Sequence, residues 1–102
     1  IAPEIANIGG GGARSDVWCQ IRADALGFPL RRCAVSDAAA LGAGILAGLG
    51  SGTMDSLAGA VGRLVRYDHT FEPDPATRAY YDDKFGRYRQ LYETLKPFNA
   101  GY

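Results

Sequence analysis

Four consecutive glycines, Gly9 to Gly12, stand between a short alternating segment, Glu4-Ile-Ala-Asn-Ile8, and a stretch of helical periodicity that opens at Ser15. Without Cβ atoms this run permits positive φ and lets a ligand or another backbone approach closely. Neither a strand nor a helix runs well through such a segment, so it reads as a strand-to-helix turn. Glycine is high throughout the chain, at 14 of 102 residues, about twice the average usage of roughly 7%. Thirteen of the 14 lie in the first 86 residues, whereas nine of the 11 aromatic residues follow position 66. A glycine- and alanine-rich front and a tyrosine-rich back must do different physical jobs.

After the loop, Ser15 reads as an N-cap and Asp16 as a first-turn acid that suits the positive end of the helix dipole. The helix is expected over Asp16 to Leu26, with Val17, Trp18, Ile21, Ala25 and Leu26 as its apolar positions and Gly27 as its stop. Trp18 is assigned to core packing in preference to stacking on a base. Pro29 opens a second strand, about Leu30 to Val35, which makes strand, loop, helix, strand: a βαβ unit with parallel strands. Ser36 can cap a second helix from Asp37 to about Leu49 that has no polar face and is expected to be buried nearly all round. The uncharged stretch from Ala38 to Met54 is at the lower edge of membrane-spanning length, but seven of its positions are Gly, Ser or Thr, which favours a buried helix of a soluble protein. Gly44 and Gly48 then mark a close helix or sheet crossing. A third helix starts at Asp55 or Ser56 and runs to about Arg66, with Leu57, Val61, Leu64 and Val65 on one stripe. An irregular stretch around His69 to Pro75 follows, since Pro73 and Pro75 oppose regular structure. The last helix is expected from a cap at Asp74, with Pro75 in the first position, to Lys96. Its residues Tyr81, Phe85, Tyr88, Tyr92 and Leu95 form an aromatic stripe.

Eleven Lys plus Arg balance 11 Asp plus Glu. No surplus positive charge is available for a phosphate backbone, so nucleic acid is not an expected partner. Two cysteines, Cys19 and Cys33, are fewer than a small secreted domain commonly uses, and neither lies in a CxxC or beside a His. They read as reduced packing residues of a cytoplasmic protein, with no metal site. No signal peptide is apparent. The first residue is Ile, which reads as a piece of a longer protein.

The glycine loop can be tested against two known phosphate loops. A P-loop needs Gly-Lys, which the chain lacks, and a GxGxxG fingerprint fails because its third glycine would fall at Arg14 or Ser15. What remains is a loop feeding a helix N-terminus, a place that favours an anion or a nucleotide. Asp68-His69 is the one acid/His neighbour pair, and His69 reads as a loop or surface residue. Asp82, Asp83, Lys84, Arg87 and Arg89 read as the solvated face of the last helix, with Asp83 and Arg87 as an i,i+4 pair.

A larger pattern adds to this. The series Gly10-Gly-Gly-Ala-Arg-Ser15, Trp18-Cys-Gln20, Ala23-Asp24, Gly27, Pro29, Ala40-Leu-Gly-Ala43, Ile45-Leu-Ala47 and Pro73-Asp-Pro75 resembles the C-terminal part of the FGGY family of carbohydrate kinases, most of all xylulose kinase. The resemblance runs from Ile5 to about Pro97. One departure is Gly44, where the family often has Ala, which allows closer packing. The resemblance implies an α/β fold, here part of an actin-like ATPase (ribonuclease H-like) domain with short parallel strands packed by helices. Residues 1–102 would then be the C-terminal portion of the second kinase domain.

On that resemblance Gly10, Gly11, Gly12 and Ala13 match the family's glycine motif and would approach the adenosine side of ATP. Arg14 and Ser15 would line its edge, and Gln20 would lie near the nucleotide. Asp24 is expected to make a structural surface or capping contact. ATP and Mg are the implied cofactors, acting through the parent enzyme, with a pentulose-like sugar as substrate. The family's DxGT phosphate loop, aspartate base and second phosphate loop have no counterpart in the chain, so no catalytic residue is assigned and the chain alone is expected to be inactive. A second reading makes the chain a non-catalytic helical binding module whose tyrosine stripe docks a partner. Two short parallel strands would leave edges and cleft surface open, so self-association is expected.

Overall fold

The first strand, β1 (Ala6–Ile8), leads into the glycines, which form a single 3-10 turn over Gly11–Arg14 before the first helix, α1 (Asp16–Leu26). The computed structural model describes residues 3–101. Ser15 caps α1 by accepting from the Trp18 N–H, and Gly27 ends it in the left-handed conformation at φ 77°. The chain returns as β2 (Leu30–Cys33), parallel to β1, with Ala6 opposite Leu30 and Ile8 opposite Arg32. The expected βαβ unit is therefore present, with β2 ending two residues earlier than its periodicity suggests.

The helices α2 (Ala38–Gly50) and α3 (Leu57–Leu64) follow, and the stretch expected to be irregular then begins with a third strand, β3 (Tyr67–Phe71). It pairs antiparallel with β2, so the sheet has the order β1-β2-β3 and is mixed, not purely parallel. Four of its five residues are exposed and only Phe71 is buried. Without a clear apolar alternation the strand is specified by its pairing partner, not by its own pattern. Asp74 caps a 3-10 turn at Pro75–Thr77, which runs into α4 (Arg78–Asn99). The long helix passes Lys96 and carries Pro97 in its last turn.

Four helix assignments change in detail. The cap of α2 is Asp37, which accepts from the Ala40 N–H at 2.9 Å, while Ser36 is turned to the glycine loop. In α1 the buried face is Cys19, Ala23 and Asp24, and the larger residues Val17, Trp18 and Leu26 are exposed. Small side chains let the helix lie close on the sheet, which selects that face over the more hydrophobic one. Only Ile45 of α2 is buried, against the expectation of burial nearly all round, because α2 packs mainly on α3 along one side. Gly48 does meet a close neighbour, Met54 of the following turn, but Gly44 faces open space.

The core beneath the loop consists of Ile8, Ala13, Cys19, Ala23, Leu30 and Phe71, with Ala6 and Phe28 packed on it. Both cysteines are free, Cys19 fully buried and Cys33 half-buried. The Cα radius of gyration is 18.7 Å, against about 13 Å for a compact chain of this length. Much of the excess comes from α4, which touches α1 near its start and then projects. Tyr81 is half-buried there, whereas Phe85, Tyr88 and Tyr92 of the same stripe are exposed. His69 is exposed on β3 with its ring edge-on to Phe71, and Asp83 pairs with Arg87 at 3.1 Å on the outer side of α4.

Arg32 joins β2 to both flanking layers. Its Nε donates to Asp68 on β3 at 2.8 Å and its Nη1 to Asp16 on α1 at 2.6 Å. The hydrogen bond to Asp68, followed by that to Asp16, raises the guanidinium pKa further above its already high value. Asp68 is held below the ordinary carboxylate range, first by its hydrogen bond from Arg32. A depressed carboxylate contributes stability that is present above its unfolded pKa, about 3.9, and is lost as pH falls through the folded value. The urea midpoint should therefore hold from pH 7 to 5 and fall below about pH 4. Asp68→Asn should flatten part of that acid loss, and an unchanged acid slope in the variant would remove Asp68 from the account.

Candidate functional site

In a parallel pair joined through a helix, the chain leaves each strand at the same end of the sheet, and ligands of such sheets collect there. The glycine loop at the end of β1 and Ser36, just beyond β2, meet at this end. Gly10 has φ 84° and ψ −178°, a combination open essentially to glycine alone. Its N–H donates to Ser36 O at 3.0 Å and its carbonyl accepts from the Ala13 N–H at 3.1 Å, which closes the turn. Ala13 is the buried foot of the loop, 2% exposed, and its carbonyl accepts from Arg32 Nη1 at 3.2 Å and Cys19 Sγ at 3.4 Å.

With the foot held, the upper side is left open. Gly11 and Gly12 are exposed and head the 3-10 turn, where the first N–H groups have no acceptor inside it. A Cβ built on Gly10 or Gly11 would meet nothing within 4 Å. Glycine at position 10 is thus required by backbone conformation, while at position 11 the fold itself sets no such requirement. Arg14 extends from the turn and donates through Nη2 to Ser36 Oγ at 3.0 Å, so loop and β2 end are tied by side chain as well as backbone. Ser15 is committed to its capping role.

Gly11, Gly12, Arg14 and Ser15 are therefore exposed together on the loop, while Ala13, expected to approach a nucleotide, is buried beneath it, and Gln20 stands apart. Gln20 Nε2 donates to Asp24 Oδ1 at 2.8 Å and to Glu72 O at 2.7 Å, toward the junction of β3 and α4. Asp24 is buried at 9% exposure, and the same Oδ1 accepts from the Asp74 N–H at 2.7 Å. Where a surface or capping contact is expected of Asp24, its carboxylate lies inside the fold and joins α1 to the turn before α4. Two residues at the loop escaped the sequence reading. Ser36 was assigned to the α2 cap, although the parallel topology already brings the residues after β2 beside the loop. Trp18, expected in the core, is 45% exposed. Its indole Cδ1 and Nε1 lie 3.4 Å from where a Gly12 Cβ would stand.

The arrangement can present backbone N–H groups and a smooth, Cβ-free surface to a flat or anionic ligand. Among the described residues no three His, Cys, Asp or Glu side chains gather as a ligand set. No helix among those residues is long and apolar enough to cross a membrane.

Residues 4–51, which include β1, the loop, α1, β2 and α2, match the family model for the C-terminal domain of the FGGY family of carbohydrate kinases. The autoinducer-2 kinase of Escherichia coli K12 is 38% identical over 93 residues, covering 91% of this chain and 18% of that protein. Among solved structures, the xylulose kinase of Lactobacillus acidophilus superposes with a TM-score of 0.79 at 26% identity, over 92% of this chain and 19% of that one. The xylulose kinase of Rhodospirillum rubrum gives 0.67 at 38% identity with the same coverage. The chain spans about a fifth of the length of the relatives it matches. With the matched segment including the loop, a relative 38% identical over 91% of the chain and both xylulose kinases following the same path over nearly all its length, the chain belongs to the FGGY family of carbohydrate kinases.

Proposed function

We propose that the chain forms the adenosine side of the ATP site in a kinase that transfers the γ-phosphoryl of MgATP to a pentulose-like sugar. On this reading residues 1–102 are the C-terminal portion of the second domain of an actin-like ATPase fold, in a cytoplasmic enzyme. The observation that carries it is the open backbone of Gly10 and Gly11, held from below at Ala13, inside the segment that matches the family. Gly11 and Gly12 would let the nucleotide approach the backbone, with Arg14 and Ser15 along its edge. Gln20 would act from further off, through the bonds that hold the α1 surface. Metal and phosphate chemistry would come from residues outside these 102. The xylulose kinases support a pentulose as the sugar, while the autoinducer-2 kinase names a rival phosphoryl acceptor.

Because Gly11 has ordinary φ and open space at its Cβ position, Gly11→Val tests ligand approach with little direct cost to packing. In the full-length kinase it should raise the KM for ATP about tenfold or more, since a one-ångström misplacement can itself cost on that order, and leave the KM for sugar within about twofold. An unchanged ATP constant would remove the loop from the site. The 102 residues alone should show no ATP-dependent sugar phosphorylation in a coupled assay, and measurable turnover would refute the assignment of the chemistry elsewhere.

Exposed aromatic residues on α4, with Tyr88 at 70% and Tyr92 at 67%, favour a second reading as an interaction module. Absence of ADP binding would decide for it. Both readings share one expectation. An apolar groove of about 350 Å³ between α2 and α3, lined by Leu41, Ile45, Leu46, Leu57 and Val61, lies open, and exposed apolar patches of this kind drive association. Light scattering should show mass rising with concentration, and Leu46→Glu should reduce it. A monomer at all concentrations would sink this expectation.

A further inference from the structure

We infer that the indole of Trp18 is the platform on which the base of the bound nucleotide lies. The inference rests on the nucleotide reading of the glycine loop and adds the part of the ligand that the loop backbone does not itself hold. Three observations meet at one place. Trp18 is a large ring left 45% exposed on the first turn of α1, although the helix has a buried face available at Cys19 and Ala23. The ring lies directly against Gly12, with Cδ1 and Nε1 both 3.4 Å from that residue's Cβ position, so a side chain at position 12 would press on the indole. Arg22, one turn along α1, places its guanidinium 5.0 Å from the ring centroid, with Nη2 3.8 Å from the same Cβ position.

The loop surface is thus continued by a half-exposed indole that carries the Arg22 guanidinium over one of its faces. That combination suits a ligand with one flat aromatic part and one anionic part, because bases stack on indole faces and a guanidinium attracts phosphate. Phe28, the other aromatic of the front half, is packed on the core and lies outside this surface. Trp18 also follows Ser15 by three residues on α1, so both stand on one side of the helix next to the turn. The ring acts as a binding and positioning group, with no part in proton or phosphoryl transfer.

Trp18 is the sole tryptophan of the chain, so its emission reports directly on the proposed contact. Titrating the chain with ADP or adenosine should quench or shift that emission saturably, and because adenosine carries no phosphate its effect reports on the base and not on an anion held by Arg22. By calorimetry, Trp18→Ala should weaken ADP binding about tenfold to a hundredfold, the range expected for loss of a stacked base. Trp18→Phe should stay within about threefold, because it keeps an aromatic face. If ADP binds and Trp18→Ala binds it as tightly as the unaltered chain, the platform is overturned and the loop reading stands. If the unaltered chain does not bind ADP, the loop reading is overturned and the platform falls with it.

Discussion

One guanidinium holds two strands, a helix and the glycine turn of this fold in register. Arg32, near the end of the central strand, reaches Asp16 at the start of α1, Asp68 on β3 and the Ala13 carbonyl at the foot of the glycine turn. Arginine suits this position because its planar fork directs several donors at fixed angles, which a lysine ammonium on a flexible stem does not. Its side chain is only 18% exposed, so the bonds are better shielded than those of the i,i+4 pairs on α4. The glycine turn depends on this tie. Four residues with little side chain of their own keep one shape because a buried alanine and a charged donor fix their last carbonyl, and because Ser36 fixes their first N–H.

Local signals in the sequence were legible where a single residue makes its own contact. Ser15 as the α1 cap, Gly27 as its stop and Asp74 before Pro75 are all observed, since each depends on hydrogen bonds or φ preferences within a few residues. The order of the βαβ unit was legible for the same reason. β3 was not, because Tyr67–Phe71 is polar on most of its length and acquires strand geometry from β2, some 38 residues earlier. Two prolines after it also drew the boundary of the irregular segment too early.

Burial was the property that periodicity described least well. In α1 the conspicuous apolar positions point outward and the inconspicuous Cys19 and Ala23 point in, because closeness to the sheet outweighs the hydrophobicity of any one side chain. In α2 the uniform apolar composition correctly indicates a helix that needs cover, but composition does not say who supplies it. The same limit applied to the site. Glycine content located the loop, while the family resemblance gave it a ligand, and neither showed that Ser36 and Trp18 border it. Both depend on which residues the parallel crossover and the α1 helix bring to one end of the sheet.

The two bonds at Ser36 have a mechanical side. Ser36 sits immediately before the Asp37 cap of α2, a helix of 13 residues and about 20 Å. Its carbonyl and hydroxyl are joined to Gly10 and Arg14 on the loop. The residue just before the cap of that helix is thus also an anchor of the glycine turn, so the start of α2 and the shape of the loop are tied together through one and the same serine.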